Sequence, residues 1–322
     1  MTTIIPPAEQ VDPDKLMAFV FRAVEETGAA LNCALVVMGD RLGYYRALVQ
    51  HGPSTPAELA ERTDTDEHYA REWLNAQAAG EFVAYDPSTG RYTLPPEQAV
   101  ALTDEGSPAF VGGLFQIAHG TVRDSARILE AARTGDGVGW GDHNSDVHVG
   151  CGYGASTILM AAAFPASRFQ GTDAHAGSIT TAHERAEQAG VIGRISFEAS
   201  PADAFTGGPY DLVTMFDCLH DMGDPIGAAR HIRDVIAEDG TWMIVEPAAG
   251  DRVEDNFNPI GRTYYGFSTL LCTPSSLAQP VGLALGTQAG PARIRDVVTA
   301  AGFTRFRVAA QTPFNNIFEV RP

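Results

Sequence analysis

Three glycines at alternate positions, Gly150, Gly152 and Gly154, lie in the stretch Asp146-Val147-His148-Val149-Gly150-Cys151-Gly152-Tyr153-Gly154-Ala155-Ser156. Glycine has no Cβ, so a backbone with this spacing turns tightly and lets a ligand approach closely. A short apolar run precedes the glycines, and residues 157–164 have helical composition. A helix opening there aims its free N–H groups and positive dipole end at the same point. Strand, glycine turn and helix in that order predict a site for a nucleoside-bearing ligand with an anionic group. The acid such a site needs about 20 residues further on is Asp173, at the end of the strand-like Arg168-Phe169-Gln170-Gly171-Thr172-Asp173. Its carboxylate is placed to accept hydrogen bonds from both ribose hydroxyls. An ordinary tight turn and a solvated loop aspartate are the plain alternatives.

The elements that must position these residues alternate between strand and helix. Strands are expected over residues 146–149, 168–173, 194–198, 211–216 and 242–246, with helices over 157–164, 178–189 and 225–237. Apolar strands separated by helices mean a parallel sheet covered on both faces. Ligands in such sheets sit at the carboxyl ends of the strands, near the switch point. The chain closes with a helix over 292–301 and two antiparallel strands over 303–308 and 316–320. The expected fold is therefore α/β: a Rossmann-like, seven-stranded, mostly parallel sheet with a C-terminal antiparallel hairpin.

The first part of the chain is mainly helical. Asp12-Pro13-Asp14 opens a helix carrying Leu16, Phe19, Val20 and Val24 at helical spacing, and Gly28 is expected to interrupt it. Residues 29–38 are apolar nearly all round, which calls for burial on every side and points to a homodimer formed through the N-terminal helices. A further helix is expected over 40–50, ended by Gly52-Pro53. Thr55, Pro56 and Glu58 make a capping box. A second cap, Asp64 or Thr65, starts a helix with Tyr69, Trp73 and Leu74 that Gly80 stops, and residues 82–85 and 91–94 form a hairpin. This order makes a winged helix. Residues 107–133 read as helix, and Gly135-Asp136-Gly137-Val138-Gly139-Trp140-Gly141-Asp142 as a linker. The domains are thus 1–135, for dimerisation and substrate covering, and 144–322, for ligand binding.

Charge limits the partners. The 322 residues carry a formal charge of -18, which disfavours phosphate backbones and anionic membranes. Within the winged helix, Glu58, Glu61, Asp64, Asp66, Glu67, Glu72, Glu81 and Asp86 face only Arg62, Arg71 and Arg91. Asp66 and Glu67 open the would-be recognition helix, where a DNA reader wants Arg, Lys or Asn. Nucleic acid is not an expected partner. The longest apolar stretch, 29–38, is too short to span a bilayer. Cys33, Cys151, Cys218 and Cys272 show no paired spacing, so neither a metal site nor a disulfide framework is expected. Together with an N-terminus lacking a secretory pattern, this reads as a reducing, cytoplasmic setting.

Taken together, the motifs Val149-Gly150-Cys151-Gly152-Tyr153-Gly154, Gly171-Thr172-Asp173, Ala202-Asp203-Ala204-Phe205, Phe216-Asp217-Cys218-Leu219-His220-Asp221 and Val245-Glu246-Pro247 are distinctive. On them the chain resembles a class I S-adenosylmethionine-dependent methyltransferase, of the bacterial small-molecule O-methyltransferase kind with an N-terminal winged helix. The resemblance covers nearly the whole chain. It implies S-adenosylmethionine as cofactor, with Gly150, Cys151, Gly152, Tyr153 and Gly154 around the methionine moiety. Asp173, with Ala174 beside it, would hold the ribose, and Asp203 would accept from the adenine amine, with Ala202 and Phe205 nearby. Phe216, Asp217 and Cys218 would line the methyl side. His220 would remove the acceptor's proton and Glu246 would orient it, which suits the chemistry because histidine titrates near neutral pH. Tyr264, Tyr265, Phe267, Met222, Phe110 and Phe115 would supply an apolar acceptor pocket.

Three features depart from the family. His148 stands where relatives carry an acid that helps settle the donor. Only residues 140–145 separate the linker from the first strand, so part of the substrate enclosure is absent or comes from a second subunit. The relatives' further acid has no match near Ala278. The expected function is methyl transfer to a small hydroxylated acceptor, aromatic ones included. The alternatives are a winged-helix regulator sensing a metabolite, and a methyltransferase-like fold with a repurposed reaction.

Overall fold

Asp12 begins the longest helix of the chain, α1 (Pro13–Arg41), by accepting from the N–H groups of Asp14 and Lys15 at 3.0 and 3.2 Å. The computed structural model describes residues 11–144, 146–147 and 153–322. Gly28 does not interrupt α1. A helical glycine costs about 1 kcal/mol relative to alanine, too little to break a ladder supported on both sides. The break comes at Leu42-Gly43, where Gly43 takes φ 73°, and α2 (Tyr44–His51) follows. α3 (Pro56–Thr63) carries the expected capping box: Thr55 Oγ1 accepts the Glu58 N–H at 3.3 Å, and Glu58 Oε2 accepts the Thr55 N–H at 2.9 Å. α4 (Glu67–Ala79) is capped by Asp66, not by Asp64 or Thr65, because Asp64 is used at φ 53° to end α3. The strands β1 (Ala84–Asp86) and β2 (Arg91–Thr93) form the antiparallel wing, and α5 (Pro96–Thr103) closes it.

The chain clusters into two compact units, Met1–His119 and Gly120–Pro322. In the first, Tyr44 and Tyr45 stand edge-on to Trp73 with ring centroids 4.9 and 5.0 Å apart, and Leu59 and Leu74 complete the core. Trp73 also donates to the Leu35 carbonyl at 2.8 Å, which seats α4 against the second half of α1. Among the described residues, none covers the first half of α1 in this way. Within the single chain, Leu16, Phe19 and Val24 are 49%, 69% and 64% exposed.

α6 (Gly112–Arg123) runs through the division between the units, and α7 (Ser125–Thr134) follows. The single helix expected over 107–133 is split at Asp124, whose carboxylate turns inward to accept the Asn144 N–H at 2.7 Å. Then come α8 (Ala155–Ala163), β3 (Phe169–Asp173), α9 (Ala176–Gln188), β4 (Ile195–Ala199), β5 (Tyr210–Phe216), α10 (Pro225–Val235) and β6 (Ile236–Pro247). α11 (Pro259–Phe267), a π-helical turn (Ser268–Cys272) and α12 (Thr273–Leu277) form one continuous helical stretch. α13 (Gly290–Ala300), β7 (Arg305–Gln311) and β8 (Asn315–Arg321) end the chain.

Among the described residues the expected seven strands are not seen in one sheet: β3 and β4 pair in parallel, and β5-β6-β8-β7 form another sheet. In the second sheet β5 and β6 are parallel while β8 is antiparallel to both β6 and β7, so the closing hairpin forms as expected. A doubly wound order sets the first strand between these two groups. The strand expected over 146–149 would fill that place, but Asp146 and Val147 are helical, and His148 and Val149 lie outside the described residues. The local reason is polar: Asn144 accepts the Asp146 N–H through Oδ1 at 3.1 Å and the Val147 N–H through its carbonyl at 2.9 Å. Arg123 pairs with the Asp146 carboxylate at 3.1 Å.

β6 and β8 show the alternation of a half-covered sheet. Trp242 and Ile244 of β6 and Phe318 and Val320 of β8 point into one core with Ile232, Ile294 and Val298. Each such side chain contributes about 1.5–3 kcal/mol on burial. The same period of two puts Glu246 on the covered face. A carboxylate therefore arrives where Trp242 and Ile244 lead, and it needs partners.

Candidate active site

Glu246 finds its partners in the turn after β5. Its Oε1 accepts the Leu219 N–H at 3.0 Å, and its Oε2 lies 2.5 Å from His220 Nδ1. Both side chains are 4% exposed. This network assigns the proton on Nδ1 to the side facing the carboxylate and leaves Nε2 as the nitrogen able to take a proton from elsewhere. Burial works against a charged imidazole, but the charge and hydrogen bond of Glu246 outweigh it. His220 titrates well above its ordinary range.

Further acids crowd this turn. Asp221 is pushed up to about 7, by burial first. Asp217 is pushed up to about 6, by its densely walled surroundings first and by the Glu246 charge second, although its surface remains open. It adopts φ 49°, donates its N–H to the Val245 carbonyl at 2.8 Å and accepts from Asn315 Nδ2 at 3.3 Å. Burial also raises the Cys218 thiol. Among the described residues no group of His, Cys, Asp and Glu is arranged to hold a metal ion.

The turn is clamped from α12 and the residues just after it. Ser276 Oγ donates to the Met222 carbonyl at 2.7 Å, Gln279 Nε2 donates to the Asp221 carbonyl at 3.0 Å, and the Gly223 N–H donates to Gln279 Oε1 at 3.0 Å. Gln279, beside Ala278, thus supplies backbone clamping where no acid is present.

Of the ligand-binding residues read from the sequence, Phe216, Asp217 and Cys218 share the β5 end with His220, and the others fall elsewhere. Asp173 ends β3 with an exposed carboxylate that accepts the His175 N–H at 2.7 Å, and Ala174 beside it is exposed. Asp203 is exposed in the loop after β4, Ala202 is half-buried, and Phe205 is core, edge-on to His231 at 4.5 Å. Phe216 ends β5 with its ring 40% exposed, and Cys218 is half-buried. Gly154 takes φ 76° at the start of α8, where an added Cβ would come within 2.8 Å of Ala182. The Tyr153 ring lies under the Arg185 guanidinium at 5.1 Å. Gly150, Cys151 and Gly152 lie outside the described residues.

Phe216, Asp217, Cys218, His220 and Glu246 are thus brought to one pair of strand ends. Of the six side chains expected to line an apolar pocket, Phe110 and Phe115 belong to the first unit and Met222, Tyr264, Tyr265 and Phe267 to the second. Phe115 packs in the core of the first unit, edge-on to Phe82 at 6.0 Å, and Phe110 lies over Gly112 in the same unit. Met222 packs against the main core of the second unit. Tyr264 is half-buried on α11 and donates to the Phe314 carbonyl at 2.8 Å. Its hydroxyl is pushed up to about 12, by burial first and Asp217 second.

Sequence reasoning missed a second buried relay in the same unit. There His143 Nδ1 lies 3.1 Å from Asp124 Oδ2, and Nε2 lies 3.3 Å from Ser275 Oγ. No local spacing announces this arrangement, since the partners come from distant segments.

Comparison with known proteins agrees with these two parts. Residues 29–104 match the family described as Rv2258c-like winged HTH domain, and residues 147–242 match the family described as methyltransferase domain. No curated protein matches the sequence. A Nostoc punctiforme protein described as an O-methyltransferase is 18% identical, with 94% of this chain and 98% of that one covered at a TM-score of 0.71. Human N-acetylserotonin methyltransferase, solved with S-adenosylmethionine, is 14% identical, with 98% and 99% covered at 0.65. Mitomycin 7-O-methyltransferase is 17% identical, with 97% and 100% covered at 0.64. The chain therefore joins a winged helix-turn-helix domain to a methyltransferase domain, on a fold it shares along nearly its whole length with O-methyltransferases.

Proposed function

We propose that the protein transfers the methyl group of S-adenosylmethionine to a hydroxyl of a small acceptor, aromatic ones included, with His220 as general base. One observation carries this reading: the buried His220–Glu246 pair at the ends of β5 and β6, oriented with Nε2 left to receive a proton. Bound, the sulfonium donor supplies a methyl group already activated for transfer. His220 takes the acceptor's proton at Nε2, and Glu246 stabilises the imidazolium that results. The closed surroundings keep water from competing for the base.

The described residues suit that donor. Exposed carboxylates at Asp173 and Asp203 fit ribose hydroxyls and an adenine amine, and the open ring of Phe216 offers an apolar wall. Ala174, Ala202, Asp217 and Cys218 complete that lining, and Tyr153 and Gly154, together with Gly150, Cys151 and Gly152 outside the described residues, are proposed to hold the methionine moiety. Named neighbours that act on oxygen, such as mitomycin 7-O-methyltransferase, favour a hydroxyl acceptor. The free thiols of Cys33, Cys218 and Cys272 suit a reducing cytoplasm.

Calorimetric titration with S-adenosylmethionine and with its demethylated product tests the reading. Both are expected to bind, and Asp173→Ala is expected to weaken them roughly tenfold to a hundredfold, the loss of charge-assisted hydrogen bonds worth about 1.5–3 kcal/mol. Flat titrations with both ligands would remove the proposal.

The exposed apolar face of α1 belongs to the same proposal, as the contact surface of a homodimer. Leu16, Phe19 and Val24 on one uncovered helix favour a second copy as the cover. Light scattering is expected to give twice the chain mass for the wild type and a smaller species for Phe19→Glu with Val24→Glu. A monomeric wild type at all concentrations would refute it.

A further inference from the structure

Residues 200–209, between β4 and β5, form no helix, yet side chains from three strands hold them. Glu198 of β4 is the hub. Its Oε2 accepts the Thr206 N–H at 3.1 Å, the Thr206 hydroxyl at 3.0 Å and Gln170 Nε2 of β3 at 2.8 Å. With its other hydrogen, Gln170 Nε2 donates to the Thr206 carbonyl at 2.8 Å. The Tyr210 hydroxyl of β5 lies 2.7 Å from both that carbonyl and Gln170 Oε1. The N–H, the carbonyl and the hydroxyl of Thr206 are therefore all engaged, on a residue that is itself exposed. A threonine facing solvent needs no such provision, because water serves its polar groups.

The loop is held at two further points. The Ser200 N–H donates to the Asp173 carbonyl at 3.0 Å, which joins the loop to the end of β3. His231 Nε2 of α10 donates to the Phe205 carbonyl at 2.8 Å, and the buried Phe205 ring stands edge-on to that imidazole. Between these points only residues 201–204 remain, closed into a turn by the Ala204 N–H donating to the Pro201 carbonyl at 3.1 Å. Pro201-Ala202-Asp203-Ala204 carries one polar side chain, that of Asp203, and it is exposed. Charge-assisted hydrogen bonds at Thr206 thus fix the base of a short turn whose single functional group is a carboxylate. A group that must meet a ligand needs such support to be placed within about 0.5 Å.

We propose that Glu198 is a positioning residue that gives the donor site its choice of base: through Thr206 it holds the Asp203 carboxylate where a 6-aminopurine can donate to it and a 6-oxopurine cannot. This rests on the methyl-transfer reading, in which Asp203 meets the adenine amine. An amine donates and a carboxylate accepts, so that pairing is favourable. A 6-oxo group only accepts, and a fixed carboxylate facing it leaves two acceptors opposed. On a loosened turn the carboxylate would swing toward the neighbouring ring N–H of the 6-oxo base, and the choice would fade. Selectivity of this kind comes from the unfavourable pairing as much as from the favourable one.

Calorimetric titration of the whole protein with the demethylated donor, S-adenosylhomocysteine, and with its 6-oxo analogue, S-inosylhomocysteine, tests this. The wild type is expected to prefer the adenine form about tenfold to a hundredfold, and Asp203→Ala to lose most of that preference. Glu198→Ala is expected to cut the preference severalfold. Glu198→Gln, which keeps an acceptor oxygen for Thr206, is expected to restore most of it. Thr206→Val removes only the hydroxyl, at an exposed position, and is expected to cut the preference by a smaller factor; it carries the test should Glu198→Ala not fold. A merely structural role would weaken both ligands together and leave their ratio untouched. A wild-type ratio retained in Glu198→Ala and Thr206→Val would overturn the proposal while the methyl-transfer reading stands. Flat titrations of the wild type with both ligands would remove that reading and this one with it, so the two failures are distinguishable.

Discussion

Among the described residues of the second unit two histidines are buried, each against a carboxylate. His143 bridges Asp124 and Ser275 at 3.1 and 3.3 Å, and His220 pairs with Glu246 at 2.5 Å. As sets of residue types, both look like proton relays. Their surroundings separate them. Asp124 also accepts the Asn144 N–H, so the His143 relay ties the start of α7 and the linker to α12 and closes on itself. The His220 relay lies at the ends of parallel strands, where open-sheet ligands bind, beside two further acids with raised proton affinity. A triad of suitable types is therefore insufficient evidence of a site. Its place in the sheet and its electrostatic company are what distinguish His220.

The largest effect should come from replacing each histidine in turn. His220→Gln is expected to lower turnover about 10²–10⁴-fold, measured as formation of demethylated donor. His143→Gln should keep its kcat and instead lose about 1–3 kcal/mol of unfolding free energy in denaturant titration. Similar kinetic losses in both variants would erase the distinction drawn here.

Next comes the pH profile. Glu246 raises the proton affinity of His220, and a base works only when neutral, so the rate should climb as pH rises through the elevated value. Glu246→Gln removes the charge, and the climb should shift to lower pH by roughly 1–3 units while the plateau falls. An unmoved limb would show that another group sets it. The stability sign runs the other way. A histidine with raised folded affinity stabilises fully below its unfolded value of about 6.5, and that contribution is lost as pH rises through the folded value. The smallest expected effect is that of Ser275→Ala, about 1 kcal/mol of stability with no change in the pH profile.

Much of this was legible from local pattern. The Thr55–Glu58 capping box, the strands ending at Asp173 and Phe216, and the closing hairpin follow from caps and a period of two. Gly28 misled because a helix penalty was read as a break, when the ladder on both sides of it outweighs that penalty. The inward turn of Asp124 and the helical conformation at Asp146 and Val147 depend on side-chain hydrogen bonds to partners that hydropathy does not register. At the site, strand alternation accounts for burial of Glu246, but the role proposed for it comes only from a family likeness. The π-helical turn Ser268–Cys272 has no composition signal.

β7 forms the outer border of the four-stranded sheet, and most of its residues face solvent. Such a border can template the pairing of a foreign strand. Here the line is kinked between Val308 and Ala310, and exposed Arg305 and Arg307 lie in its near half, Arg307 paired with Glu319 of β8. An incoming chain would lose register at the kink and meet charge before it. Fibre-like growth through this rim is therefore discouraged at its starting point.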